Sequence, residues 1–112
     1  MGKSTVSDSS ARSVGDPGTS FIDSTSTTTA YVDLNAYANT YVRVAVTTEA
    51  HWIATGATNS FTLKSTDTTG FEANAGTYLP ANGVIHFVVD ERRRYLAYKS
   101  DTGTGLIIVT PT

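Results

Sequence analysis

Residues 40–48 read TYVRVAVTT, with Val42, Val44 and Val46 alternating against Tyr41, Arg43, Ala45 and Thr47 over a full strand length. Side chains on a strand point to opposite faces in turn, so this alternation sets three valines on a core face and leaves the others toward solvent. The branched Cβ of valine and threonine suits the pleat and disfavours a helix. Thr28–Leu34 repeats the pattern, with Ala30, Val32 and Leu34 against Thr29, Tyr31 and Asp33. On the other side, Ala50–Thr55 alternates Trp52 and Ala54 against His51, Ile53 and Thr55, close enough to 40–48 to predict an antiparallel hairpin. Gly56 ends that run.

The C-terminal half continues in the same idiom. Tyr78-Leu79-Pro80 followed by Ala81-Asn82-Gly83 predicts a short edge strand and a turn, because proline is confined to edges and strand ends. Val84–Asp90 (VIHFVVD) is almost continuously apolar, which predicts a strand covered on both faces. Tyr95–Ser100 (YLAYKS) returns after the charged turn 90–94, and Leu106–Thr110 (LIIVT) closes the chain after a glycine-bearing turn, with Pro111 terminating it. Short strands at this spacing, with helical periodicity nearly absent, predict an all-β fold: an antiparallel β-sandwich or a jelly-roll-like barrel of about seven or eight strands.

Composition agrees. At 112 residues the chain is one domain, and only 16% of it is charged, against the ~25% of an average soluble domain. Polarity is carried by 20 threonines and 11 serines instead. There is no cysteine, so neither a disulfide nor thiol chemistry is available. The net charge of -2 argues against nucleic acid as a partner, which calls for a basic excess. No apolar run approaches the ~18 residues of a membrane helix, and the N-terminus lacks a signal-peptide core.

Residues 1–20 hold few apolar groups among Ser, Gly, Asp and a Pro17-Gly18 breaker, too few to offset the entropy of ordering them. They read as a flexible N-terminal arm, free or ordered on a neighbouring subunit, preceding a β domain at 21–112. A second irregular stretch, 57–76, contains a short strand around Phe61–Lys64 and an apolar anchor at Phe71. Connections of that length inside compact domains are usually functional or disordered.

Constellations that carry chemistry are sparse. His51 and His86 each sit inside a strand pattern, and two ligands do not make a metal site. No G-x-S-x-G elbow surrounds a serine, and Asp67, Glu72, Asp90, Glu91 and Asp101 lie in loops or turns where solvated acids are ordinary. Gly103 and Gly105 lack the third glycine and the Lys-Ser/Thr pair of a phosphate loop. The expectation is a non-enzymatic protein with no cofactor and no metal. Arg92-Arg93-Arg94 is the densest charge cluster and reads either as a solvated hairpin turn or as an ionic contact to an acidic protein surface. Trp52 reads as a core or interface residue or, in a second reading, as a platform that stacks on sugar rings.

From Tyr41 onward the order of features resembles a family of small tailed-bacteriophage virion proteins. The resemblance lies in the strand YVRVAV, a second strand ending in glycine (AHWIATG), a Ser/Thr-rich excursion, the turn YLPANGV, the strands IHFVV and YLAYKS, and the ending SDTGTGLIIVTPT. It covers roughly residues 28–112 as a pattern of spacing. It implies a capsid decoration or cement protein that binds the outside of an icosahedral head, with the major capsid protein and itself (dimer or trimer) as partners. Tail and head–tail junction proteins of the virion show similar patterns. On this reading the contact residues would be Val6, Arg12 and Val14 in the arm, Phe61, Phe71 and Tyr78 in the domain, and Arg92, Arg93 and Arg94 at a polar rim. The alternative function is a carbohydrate- or receptor-binding module led by Trp52.

Overall fold

The computed structural model describes residues 18–60, 62–63 and 76–112. Among them are eight strands: β1 (Phe21–Thr25), β2 (Ala30–Asp33), β3 (Tyr41–Thr47), β4 (His51–Gly56), β5 (Thr77–Leu79), β6 (Val84–Val88), β7 (Tyr95–Ser100) and β8 (Gly105–Pro111). A single 3₁₀ turn, Asn35–Tyr37, links β2 to β3. Residues 1–17 of the expected arm 1–20, and the expectations for Phe61 and Phe71, lie outside the described residues.

The strands form two four-stranded sheets, β1-β8-β3-β6 and β2-β7-β4-β5, with every neighbouring pair antiparallel. The pairs β1:β8, β2:β7, β3:β6 and β4:β5 are nested, as in one long hairpin folded over on itself, and this is the strand order of a jelly roll. The expected all-β sandwich is therefore the architecture found.

Three local expectations are corrected. β3 and β4 do not form a hairpin, because they belong to opposite sheets. Between them Glu49 N–H donates to the Thr47 carbonyl at 2.8 Å around Thr48, whose φ is 75°. That is a tight three-residue turn, strained for a β-branched residue, which throws the chain across to the other layer. For the same reason the charged turn 90–94 joins two sheets and is no hairpin. β6 is also not covered on both faces: it is the terminal strand of its sheet, with Val84 and His86 exposed and only alternate residues turned to the core.

The core lies between the sheets. Val42, Val44 and Val46 are fully buried, as their alternation predicts, and pack with Val32, Leu34, Ile53, Leu96, Tyr98, Ile107 and Val109. Two polar links cross this apolar layer. Tyr98 O–H on β7 donates to Asp23 Oδ2 on β1 at 2.6 Å. At the end of the sandwich that carries the β3–β4 turn, the wholly buried His51 on β4 has Nε2 2.7 Å from Thr25 Oγ1 on β1 and Nδ1 2.8 Å from the Glu49 carbonyl. A carbonyl only accepts, so Nδ1 carries the proton and Nε2 accepts from the threonine hydroxyl. Burial lowers the His51 pKa, against the Glu49 carbonyl and the Glu49 charge, which raise it.

Candidate interaction surface

The two sheets differ in what covers their outer faces. On the β2-β7-β4-β5 sheet, Ala97 points away from the core yet is 0% exposed. Leu63 is buried without belonging to the central core cluster, and its backbone N–H donates to Thr29 Oγ1 at 3.1 Å. This face is covered at its middle, around Ala97, and exposed at its edge, at Tyr78. The outer face of the β1-β8-β3-β6 sheet is open.

Register fixes which residues meet on that open face. Ile22 lies opposite Ile108, Ile108 opposite Ala45, and Ala45 opposite Val84, so one apolar row runs across all four strands. Three inter-strand gaps make the row about 14 Å wide. Ile22 is 62% exposed and Val84 43%, and Leu106, one register step away, is exposed as well. The next row on the opposite side holds Thr110, Arg43 and His86. No outward position on the four strands carries a carboxylate. The result is an apolar stripe bordered by hydroxyls and one guanidinium, a surface suited to a partner that brings apolar groups and an acid.

The residues singled out from the sequence fall elsewhere. Arg92, Arg93 and Arg94 are exposed at the β6–β7 connection. Arg93 pairs with Asp90 at 3.0 Å, and Asp90 Oδ1 also accepts the Arg92 backbone N–H at 2.9 Å. The backbone of Arg94 is pinned on both sides, its N–H to Gly56 and its carbonyl to Leu34 N–H. These arginines lie at the end of the sandwich, away from the middle of the open face. Tyr78 is exposed, but on the other sheet, where its ring meets Trp52 edge-on at 5.1 Å. Trp52 is half-buried, and its Nε1–H donates to Asp101 Oδ1 at 3.0 Å. Val6, Arg12, Val14, Phe61 and Phe71 lie outside the described residues.

His51 and His86 do not converge: the first is sealed between the sheets, the second is exposed on the outer face of β6. Among the described residues no three His, Cys, Asp or Glu side chains gather where they could hold a metal ion, and no helix is long and apolar enough to cross a membrane. No family model, curated protein or solved structure matches the chain. Sequence reasoning missed the open row of Ile22, Ala45, Val84 and Ile108. The available signal was consecutive aliphatics, Ile107-Ile108 and Val84-Ile85, since in a strand one of any adjacent pair must face away from the core.

Proposed function

We propose that this chain is a non-enzymatic structural protein of a bacteriophage virion, seated on the outside of the head and stabilising its lattice as a decoration or cement protein. The observation that carries the reading is the exposed apolar row across β1, β8, β3 and β6. A patch of that kind marks a docking surface. On this reading the partner is the major capsid protein, which would receive the row and set a carboxylate against Arg43. Each contact is modest, and many copies on one lattice brace it by mass action and multivalency. The jelly-roll order supports the reading by fold analogy alone, because the same architecture also serves lectins and cupins.

The test is co-sedimentation of the purified protein with heads that lack it, beside a Val84→Asp variant. Saturable binding at a fixed ratio to the major capsid subunit, lost in the variant, is the expected result. Absence of binding to heads sinks the proposal. A second reading rests on the Trp52–Tyr78 corner, with Asp101 fixing the indole, as a platform for a saccharide or receptor. With one tryptophan in the chain, titrating a glycan panel against its fluorescence decides that alternative.

A further inference from the structure

β1 ends its sheet, so one side of its backbone has no partner strand among the described residues. Sheet edges are normally blunted by proline, by outward lysine, by a bulge or by a covering segment. β1 reads FIDST, with no proline and no lysine, and its one charge, Asp23, is turned inward to Tyr98. Beside this edge, between the sheets, lies a cavity of about 160 Å³ walled chiefly by Phe21, Val32, Leu34, Val42 and Val109. Phe21 is 40% exposed although its register partner Val109 is buried, so the sandwich is unfinished along this flank. An apolar cavity of about 150 Å³ is large enough to stay dry and take a benzene-sized group.

An open edge with an apolar slot beside it is the arrangement used for strand addition, in which backbone hydrogen bonds supply affinity and a side chain in the slot supplies specificity. The chain itself contains a candidate strand. Seventeen residues precede Gly18, and their two valines sit between small or hydroxyl residues, as Thr5-Val6-Ser7 and Ser13-Val14-Gly15. Gly18 N–H donates to the Pro111 carbonyl at 2.7 Å, so the chain is still running alongside β8 when it reaches the rim of the domain. From that rim, seventeen extended residues span up to about 56 Å, whereas covering five-residue β1 takes about 17 Å.

We propose that the edge of β1 and the adjoining cavity receive residues 1–17 of a second copy of this chain, added as a ninth strand with a valine side chain in the cavity. Each copy gives an arm and accepts one, which closes a dimer or a small ring. The device is independent of what shell the protein sits on, so failure to bind phage heads would leave it standing.

The experiment is light scattering on the full chain, on a Val6→Asp/Val14→Asp variant and on Val84→Asp, with amide exchange followed at Ile22–Ser24. The expected wild-type mass is a multiple of 11.9 kDa, falling to 11.9 kDa in the double-valine variant and unchanged in Val84→Asp. The β1 amides should exchange about tenfold or more faster once the valines are replaced. Three results would overturn the proposal. One is a wild-type mass of 11.9 kDa with β1 amides still protected by the valines, which assigns the arm to its own β1. Another is loss of association in Val84→Asp, which assigns self-contact to the open face. The last is rapid exchange of the β1 amides in the wild type.

Discussion

Replacing Tyr98 by phenylalanine removes one oxygen from the centre of the sandwich and tests whether the link to Asp23 holds the two sheets together. The Tyr98 hydroxyl is 2.6 Å from Asp23 Oδ2, the ring is buried to 1% exposure, and both burial and the carboxylate raise the phenol's pKa, so it remains a donor. Hydrogen bonds to a charged group contribute about 1.5–3 kcal/mol, and the variant also leaves a part-buried carboxylate without that donor. Near 60 °C a domain of this size unfolds with an entropy of about 2.1 cal/mol/K per residue, so about 2 kcal/mol lowers Tm by roughly 8 to 9 °C. Thermal and urea unfolding of Tyr98→Phe, Asp23→Asn and the double variant form the cycle that isolates the pair. Asp23→Asn keeps an acceptor without the charge and should lose less than Tyr98→Phe. The reasoning fails if Tyr98→Phe shifts Tm by less than about 2 °C, or if the two changes are additive, since a bond to the carboxylate makes Asp23→Asn cost less once Tyr98 is already phenylalanine.

His51 gives a pH dependence of definite sign. Burial holds its folded pKa below the ordinary 6.5, so the unfolded chain binds the proton more tightly, and the stabilisation is complete above 6.5 and lost as pH falls through the folded value. Tm measured from about pH 7.5 down to about pH 5 should therefore drop, and His51→Gln should flatten that drop. The same corner is closely packed around Gly105. A methyl there would stand 2.9 Å from His51 Cε1 and 2.9 Å from the Thr47 carbonyl, and the carbonyl cannot move without disturbing β3. Gly105→Ala should cost about 1–3 kcal/mol by urea unfolding, and a variant as stable as wild type would show that the β3–β8 approach is looser than described.

The strands were legible in the sequence wherever alternation was clean. Val42, Val44 and Val46 are buried, as are His51 and Ile53 on their side of β4, and Leu79 stands on a short edge strand before Pro80. Pairing was less legible. A short connection such as 48–50 looks like a hairpin until the γ-turn at Thr48 is known, because strand content is local and sheet membership is decided by the whole nested order. β1 itself is inconspicuous: FIDST has its acid where a core residue is expected, and only the Tyr98 hydroxyl across the sandwich explains it. The open apolar row was hidden for a similar reason. Its four residues are scattered from position 22 to position 108 and meet only through three registers.

The nested order also governs how the molecule comes into being. β8, the last of the eight strands in chain order, lies between β1 and β3 and pairs with both, so the first sheet has a gap through its middle until β8 emerges. A nascent chain ending before Gly105 holds β1 with no neighbour and β3 with only β6. β1 must therefore wait, with both edges bare, for a partner far downstream, from the Thr25–Gly105 pair to the Phe21–Val109 pair. Folding of this kind is slow and exposed to aggregation, since a single strand, β8, seams the sheet. A partner that recognises the row across β1, β8, β3 and β6 therefore meets it only once β8 is in place.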